Sequence, residues 1–284
     1  MLFRSAALFL FLALRAGDSG PSRGFSLEAL DVAQGDSLLL RWDRRAILVD
    51  GGGPFDLDQR DFGRTRLLPK LLDRGVTRLD AVVLTHPHPD HALGLFAVLE
   101  ELPVGGFWRS CGDDEGDFFR DLDLAARKKG VAVEALSIGQ SVSWPDASLV
   151  VLHSGGFRRK KDGTNNQSLV FLFERDGRSA LLTGDAGAAT EEALLDARSV
   201  PRADVLKIGH HGSRGSTTAA FLEAVCPKAA LISCGRENRF GHPAPETLRT
   251  LAQARVPVFR TDLSSDVRID VLPEATRLRL RGLW

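Results

Sequence analysis

The chain has 284 residues, 43% hydrophobic and 26% charged, with 37 Lys and Arg balanced by 37 Asp and Glu. That length accommodates one large α/β domain or two small ones, and a net charge of zero excludes polyanion binding through an overall field, leaving only local patches. Three widely spaced cysteines, Cys111, Cys226 and Cys234, exclude both a disulfide framework and a Cys-x-x-Cys zinc ribbon.

Residues 1–22 stand apart. Arg4 precedes the apolar run from Ala6 to Leu14, and small and polar residues follow. The run is too short to span a bilayer and has the form of a signal peptide, although Leu14-Arg15-Ala16 is a poor cleavage site. The stub of a membrane protein and a retained N-terminal segment are the competing readings. The folded domain is expected over 23–284, in an extracytoplasmic compartment, secreted or periplasmic, with the N-terminus as its point of membrane association.

A strand is expected over 24–31. Residues 37–42 and 46–50 flank the polar turn Asp43-Arg44-Arg45, a hairpin pattern. Leu67, Leu68, Leu71 and Leu72 have helical spacing, which predicts a helix over 65–74 stopped by Gly75. A buried strand over 79–84 comes next, then a helix over 92–102. Further along, a helix over 118–129 and strands over 131–142 and 147–152 are expected. A second hairpin joins 168–174 to 178–183 through Arg175-Asp176-Gly177. Helix 190–196, strand 204–208, helix 217–225, strand 229–233, helix 245–254 and strand 256–261 then alternate, and a last strand spans 267–272. Two sheets packed together with helices outside, an αββα sandwich of the α/β (α+β) class, fit this order.

The stretch that carries chemistry is Thr85-His86-Pro87-His88-Pro89-Asp90-His91. It places four candidate ligands within six residues at the end of a buried strand, and imidazole and carboxylate hold zinc and similar divalent ions. Its two prolines predict an extended or turning backbone there rather than a helix. Asp185 follows a hairpin strand and a glycine, and His210 and His211 follow another strand.

The motif His86-x-His88-x-Asp90-His91 after a strand resembles the metallo-β-lactamase superfamily. The finer resemblance is to the soluble hydrolase domain of the ComEC family of DNA-uptake channel proteins. It is carried by Leu30-Asp31-Val32-Ala33-Gln34-Gly35-Asp36-Ser37, Leu48-Val49-Asp50-Gly51-Gly52, Asn165-Asn166-Gln167-Ser168, Thr183-Gly184-Asp185, Lys207-Ile208-Gly209-His210-His211-Gly212-Ser213 and Gly241-His242-Pro243. Ala33 departs from it, because the family commonly has glycine there. The long multi-helix channel portion of that family is absent from this sequence.

The resemblance implies two divalent ions, zinc first and manganese second. His86 and His88 would bind one, Asp90 and His91 the other, with Asp185 between them and His211, in preference to His210, completing the second. A third ligand of the first site is open between His153, the better zinc ligand chemically, and Asn165, which matches the family's signature. Asp90, His210 and His242 are the candidate catalytic residues. Asp36 is either a residue orienting the histidines or a turn residue. Arg214, Arg236, Arg239 and the run Arg158-Arg159-Lys160-Lys161 are candidate contacts to an anionic substrate.

The function these residues imply is a metal-dependent phosphodiesterase or nuclease, with nucleic acid as substrate and a separate membrane channel as partner. A β-lactam or thioester hydrolase and a non-catalytic DNA-binding module are the alternatives.

Overall fold

A computed structural model describes residues 19–54, 61–111, 118–155, 163–274 and 276–280. Two sheets form the centre. The first is eight-stranded and runs β15(Thr276–Leu280)-β14(Val267–Val271)-β1(Phe25–Ala29)-β2(Leu38–Trp42)-β3(Arg45–Val49)-β4(Ala81–Leu84)-β5(Gly106–Ser110)-β6(Ala132–Leu136). The second is seven-stranded and runs β13(Val258–Arg260)-β12(Ala229–Ile232)-β11(Val205–Lys207)-β10(Arg178–Leu182)-β9(Val170–Arg175)-β8(Ala147–His153)-β7(Ser141–Ser143).

Strand alternation explains why the sheets stack. Leu27, Leu40, Trp42, Val49 and Val83 of the first sheet share one buried cluster with Leu149, Phe171, Phe173, Leu182 and Leu231 of the second. Trp42 anchors it, meeting Trp144 edge-on at 5.1 Å and Phe173 at 5.0 Å. The opposite faces carry two further clusters under the helices. Leu39, Leu48, Val82 and Leu84 pack with Leu67, Leu95 and Val98, and Leu181, Leu206 and Ile232 pack with Phe221 and Leu251. The αββα sandwich expected from the sequence is therefore the fold.

Several elements differ from the expectation. The helix foreseen at 92–102 spans Pro89–Glu101, because Pro89 opens it: proline lacks only an N–H that the first turn leaves unpaired anyway. Asp90 and His91 thus lie in a helical first turn rather than on extended backbone. The strand expected over 131–142 is broken by a turn, in which Gln140 N donates to Ser137 O at 3.0 Å. β5 carries no clear alternation and was not foreseen; β15, Thr276-Arg277-Leu278-Arg279-Leu280, alternates and was overlooked. At the N-terminus the packing reaches back before residue 23, since the Pro21 carbonyl accepts from Asp43 N at 3.1 Å and from Arg175 Nη1 at 3.2 Å. The remainder of the expected leader, 1–18, and the basic run Arg158–Lys161 lie outside the described residues. Among the described residues no helix is long and apolar enough to cross a membrane.

Parallel pairing places the chemistry. β3, β4 and β5 run parallel in one sheet, and β10, β11, β12 and β13 in the other. The carboxyl ends of β3, β4, β10, β11 and β12 lead into Asp50, Thr85, Thr183, Ile208 and Ser233, and the loops after them meet.

Candidate metal centre

Asp185 sits at the middle of the meeting point, 1% exposed. Its Oδ1 lies 3.3 Å from His91 Nε2, and its Oδ2 lies 3.4 Å from His211 Nε2 and 3.8 Å from both His86 Nε2 and His210 Nε2. Asp90 Oδ2 lies 3.3 Å from the same His211 nitrogen. His88 packs its ring on His86, centroid to centroid 4.6 Å. Six of the seven metal-ligand candidates thus share one cluster.

His153 does not join them. Its Nε2 lies 2.9 Å from the Asn166 carbonyl, and burial and that carbonyl, rather than Asp185 or another histidine, set its charge. Asn165 does reach the cluster, with Nδ2 3.0 Å from His210 Nε2. His242 reaches it too, its ring 5.4 Å from that of His210.

Hydrogen bonds set the histidine tautomers. The Thr85 hydroxyl donates its single proton to Asp50 Oδ2 at 2.7 Å, so it can only accept from His86 Nδ1 at 3.1 Å. His91 Nδ1 lies 2.8 Å from Asp50 Oδ2, and His211 Nδ1 lies 2.9 Å from the Ser233 carbonyl. All three Nδ1 atoms face acceptors and carry hydrogen. With the imidazoles neutral, as ligation requires, all three Nε2 atoms present lone pairs to the centre.

A divalent ion fits this donor set. His86 Nε2, His91 Nε2, His211 Nε2, Asp90 Oδ1 and Asp185 Oδ1 are buried and have no hydrogen-bond partner. Leaving five such groups unpaired would be costly, and imidazole nitrogen with carboxylate oxygen is the donor chemistry of zinc and similar ions. One ligand atom from each of Asp36, His91, Asp185 and His211 falls within 4.8 Å of the others. Asp36 is nonetheless already committed, because its Oδ2 lies 2.6 Å from Lys207 Nζ.

Protons on His91 and His211 answer the same carboxylates, and a metal ion would displace them. Burial opposes ionisation of Asp185, yet His211 and His91 hold its carboxyl well below the ordinary carboxylate range. Burial likewise opposes the charge on His91 and His211, but Asp185 with Asp50, or with Asp36, keeps both well above an ordinary imidazole. Burial and the His91 charge push His86 well below it. Burial, with His211 and His210, brings His242 down to about 4.

Asp50, Thr85, Ser168 and Lys207 were not singled out from the sequence. Ser168 Oγ receives the Asp185 N–H at 3.0 Å and lies 3.4 Å from His86 Nδ1. The one local signal was Lys207, a charged residue inside the apolar run Val205-Leu206-Lys207-Ile208, where a lysine must find a counter-charge.

Known proteins resemble this chain in sequence and in fold. The model of the metallo-β-lactamase superfamily matches residues 30–236. ComE operon protein 3 of Bacillus subtilis is 33% identical over 85% of this chain and 32% of its own length. Competence protein ComA of Neisseria gonorrhoeae is 29% identical over 86% of this chain and 32% of its own. The chain thus spans about a third of the length of these curated relatives. Among solved structures, CmlA, a diiron β-hydroxylase from Streptomyces venezuelae, superposes with a TM-score of 0.59 at 15% identity, over 88% of this chain and 55% of its own, a likeness of fold alone.

Proposed function

The chain belongs to the metallo-β-lactamase superfamily, and from that premise we propose that it is a two-metal phosphodiesterase acting on nucleic acid. The observation that carries this reading is Asp185, a buried carboxylate with Nε2 atoms of four histidines within 3.8 Å. His86, His88 and Asp185 would hold the first ion. Asp90, His91, His211 and the shared Asp185 would hold the second. Zinc is the first candidate and manganese the second. When bound, such a pair acidifies water and neutralises charge building on a phosphoryl oxygen.

The remaining residues bind and orient. Asn165 holds the half-exposed ring of His210 at the rim, where it meets the substrate. His242, neutral at pH 7 with a pKa of about 4, donates a hydrogen bond rather than a proton. Its ring stacks on Phe240 at 5.7 Å, and Phe240 is 42% exposed with the Arg239 guanidinium 5.0 Å from its centroid. An exposed aromatic ring and a guanidinium beside a metal centre suit a nucleobase and its phosphate. The names of the curated relatives, ComE operon protein 3 and a competence protein, support a place in DNA uptake; a site of action outside the cytoplasm and a separate channel protein as partner belong to the same proposal.

Metal-reconstituted protein should turn over bis-p-nitrophenyl phosphate and leave nitrocefin and an acyl thioester intact. The opposite preference would replace this reading with that of a β-lactam or thioester hydrolase.

A further inference from the structure

We infer that the buried pair Asp36–Lys207 is a positioning unit that presents His211 Nε2 to the metal centre and ties the two sheets together behind it; the inference rests on the ligand assignment proposed above. Both side chains are fully buried, with Lys207 Nζ 2.6 Å from Asp36 Oδ2. The ammonium also donates to the Ile208 carbonyl at 2.8 Å. The other carboxylate oxygen, Oδ1, lies 3.2 Å from His211 Nδ1, on the side of the ring away from Asp185.

The partners come from different sheets. Lys207 ends β11 in the seven-stranded sheet, and Asp36 lies on the connection between β1 and β2 in the eight-stranded one. That connection is clamped by its backbone. Asp36 N donates to Asp90 O at 3.1 Å, Asp36 O accepts from Gly52 N at 2.7 Å, and Gly35 O accepts from Ser233 Oγ at 2.7 Å. A Cβ at Gly35 would stand 2.1 Å from Asp90 O, so only glycine allows this approach. One short loop thus holds the backbone of Asp90 and, through its carboxylate, the ring of His211, whose Nδ1 hydrogen is also taken by Ser233.

An ion pair without solvent is a poor source of stability, because desolvating both charges offsets their attraction; exchanging such a pair for neutral side chains is often neutral or stabilising. Its use here is placement. A neutral replacement can refill the space and restore the fold, but it cannot hold a negative oxygen against the back of His211.

The test compares Asp36→Asn, Lys207→Met and the double variant with the wild type, using Zn²⁺ titrated against a chromophoric chelator, Co²⁺ absorption spectra and melting of the metal-free proteins. Each single variant should lower Tm and weaken Zn²⁺ binding about 10–100-fold. The double variant should recover most of the Tm and none of the affinity, and its Co²⁺ spectrum should stay altered. Recovery of Zn²⁺ affinity together with Tm, or wild-type affinity in both single variants, would overturn the inference. If the single variants do not fold, the double variant alone decides between these outcomes. Wild-type protein that binds Zn²⁺ but cleaves no phosphodiester would sink the proposed function and leave this positioning role standing.

Discussion

Thr85 has one hydroxyl proton, and its use decides what His86 can do. Giving it to Asp50 makes Thr85 an acceptor for His86 Nδ1 and leaves Nε2 bare toward Asp185. His153 illustrates the contrary case. Its surroundings are the Asn166 carbonyl and buried chain rather than Asp185, so His153→Ala should retain the wild-type metal content by atomic absorption, whereas His86→Ala should lose at least one ion. Ala33 shows what a departure from the family's pattern costs. It stands at φ 62°, the left-handed region where a Cβ is strained and glycine is not. Ala33→Gly should stabilise the protein by about 0.5–1 kcal/mol in urea unfolding, the relief of strain exceeding the added entropy of the unfolded chain. Most ligand candidates could be read from the sequence because donor types cluster there. The hydrogen bonds that choose a tautomer could not, since Asp50, Ser168 and Ser233 are ordinary residues until the fold sets them behind a histidine.

At the scale of elements, hairpins and amphipathic helices are legible because period and turn chemistry are local. The failures have local causes too. A proline pair looked like a break, yet Pro89 starts a helix and carries Asp90 and His91 in its first turn. β5 was missed because Gly106-Phe107-Trp108-Arg109-Ser110 alternates weakly, and its place is fixed by parallel pairing with β4 and β6. The helix Leu68–Asp73 is held to the first sheet by charge as well as by leucines. Arg74 is 3% exposed and bonds Glu28 Oε1 at 2.8 Å and Asp266 Oδ2 at 2.6 Å, and Lys70 reaches Asp266 Oδ1 at 2.8 Å. Burial opposes ionisation of Asp266, but Lys70 and Arg74 hold its pKa below the ordinary value. A depressed carboxylate stabilises above its unfolded pKa, about 3.9, and loses that contribution as pH falls through the folded value. Asp266→Asn should therefore cost about 1.5–3 kcal/mol at pH 7, and the gap to wild type should close below about pH 4 in denaturant titrations. A gap independent of pH would show that shape, not charge, holds this helix.

Over the whole molecule, the two sheets each bring half of a centre that neither holds alone. The eight-stranded sheet supplies His86, His88, Asp90 and His91, and the seven-stranded sheet supplies Asp185, His210 and His211. The fold class was legible because strands and helices alternate in an order that two layers of sheet satisfy. The juxtaposition of its halves was not, because it depends on how Leu27, Trp42, Phe171 and Phe173 pack the sheets face to face. The measurement that tests the account most directly is cleavage of a labelled DNA oligonucleotide by Zn²⁺- and Mn²⁺-loaded protein, with Asp90→Ala alongside. Cleavage should depend on the metal, be abolished by chelation and fall at least about 100-fold in Asp90→Ala, a loss of roughly 2.7 kcal/mol in transition-state stabilisation. Absence of cleavage with either ion, or equal cleavage by wild type and Asp90→Ala, would contradict it.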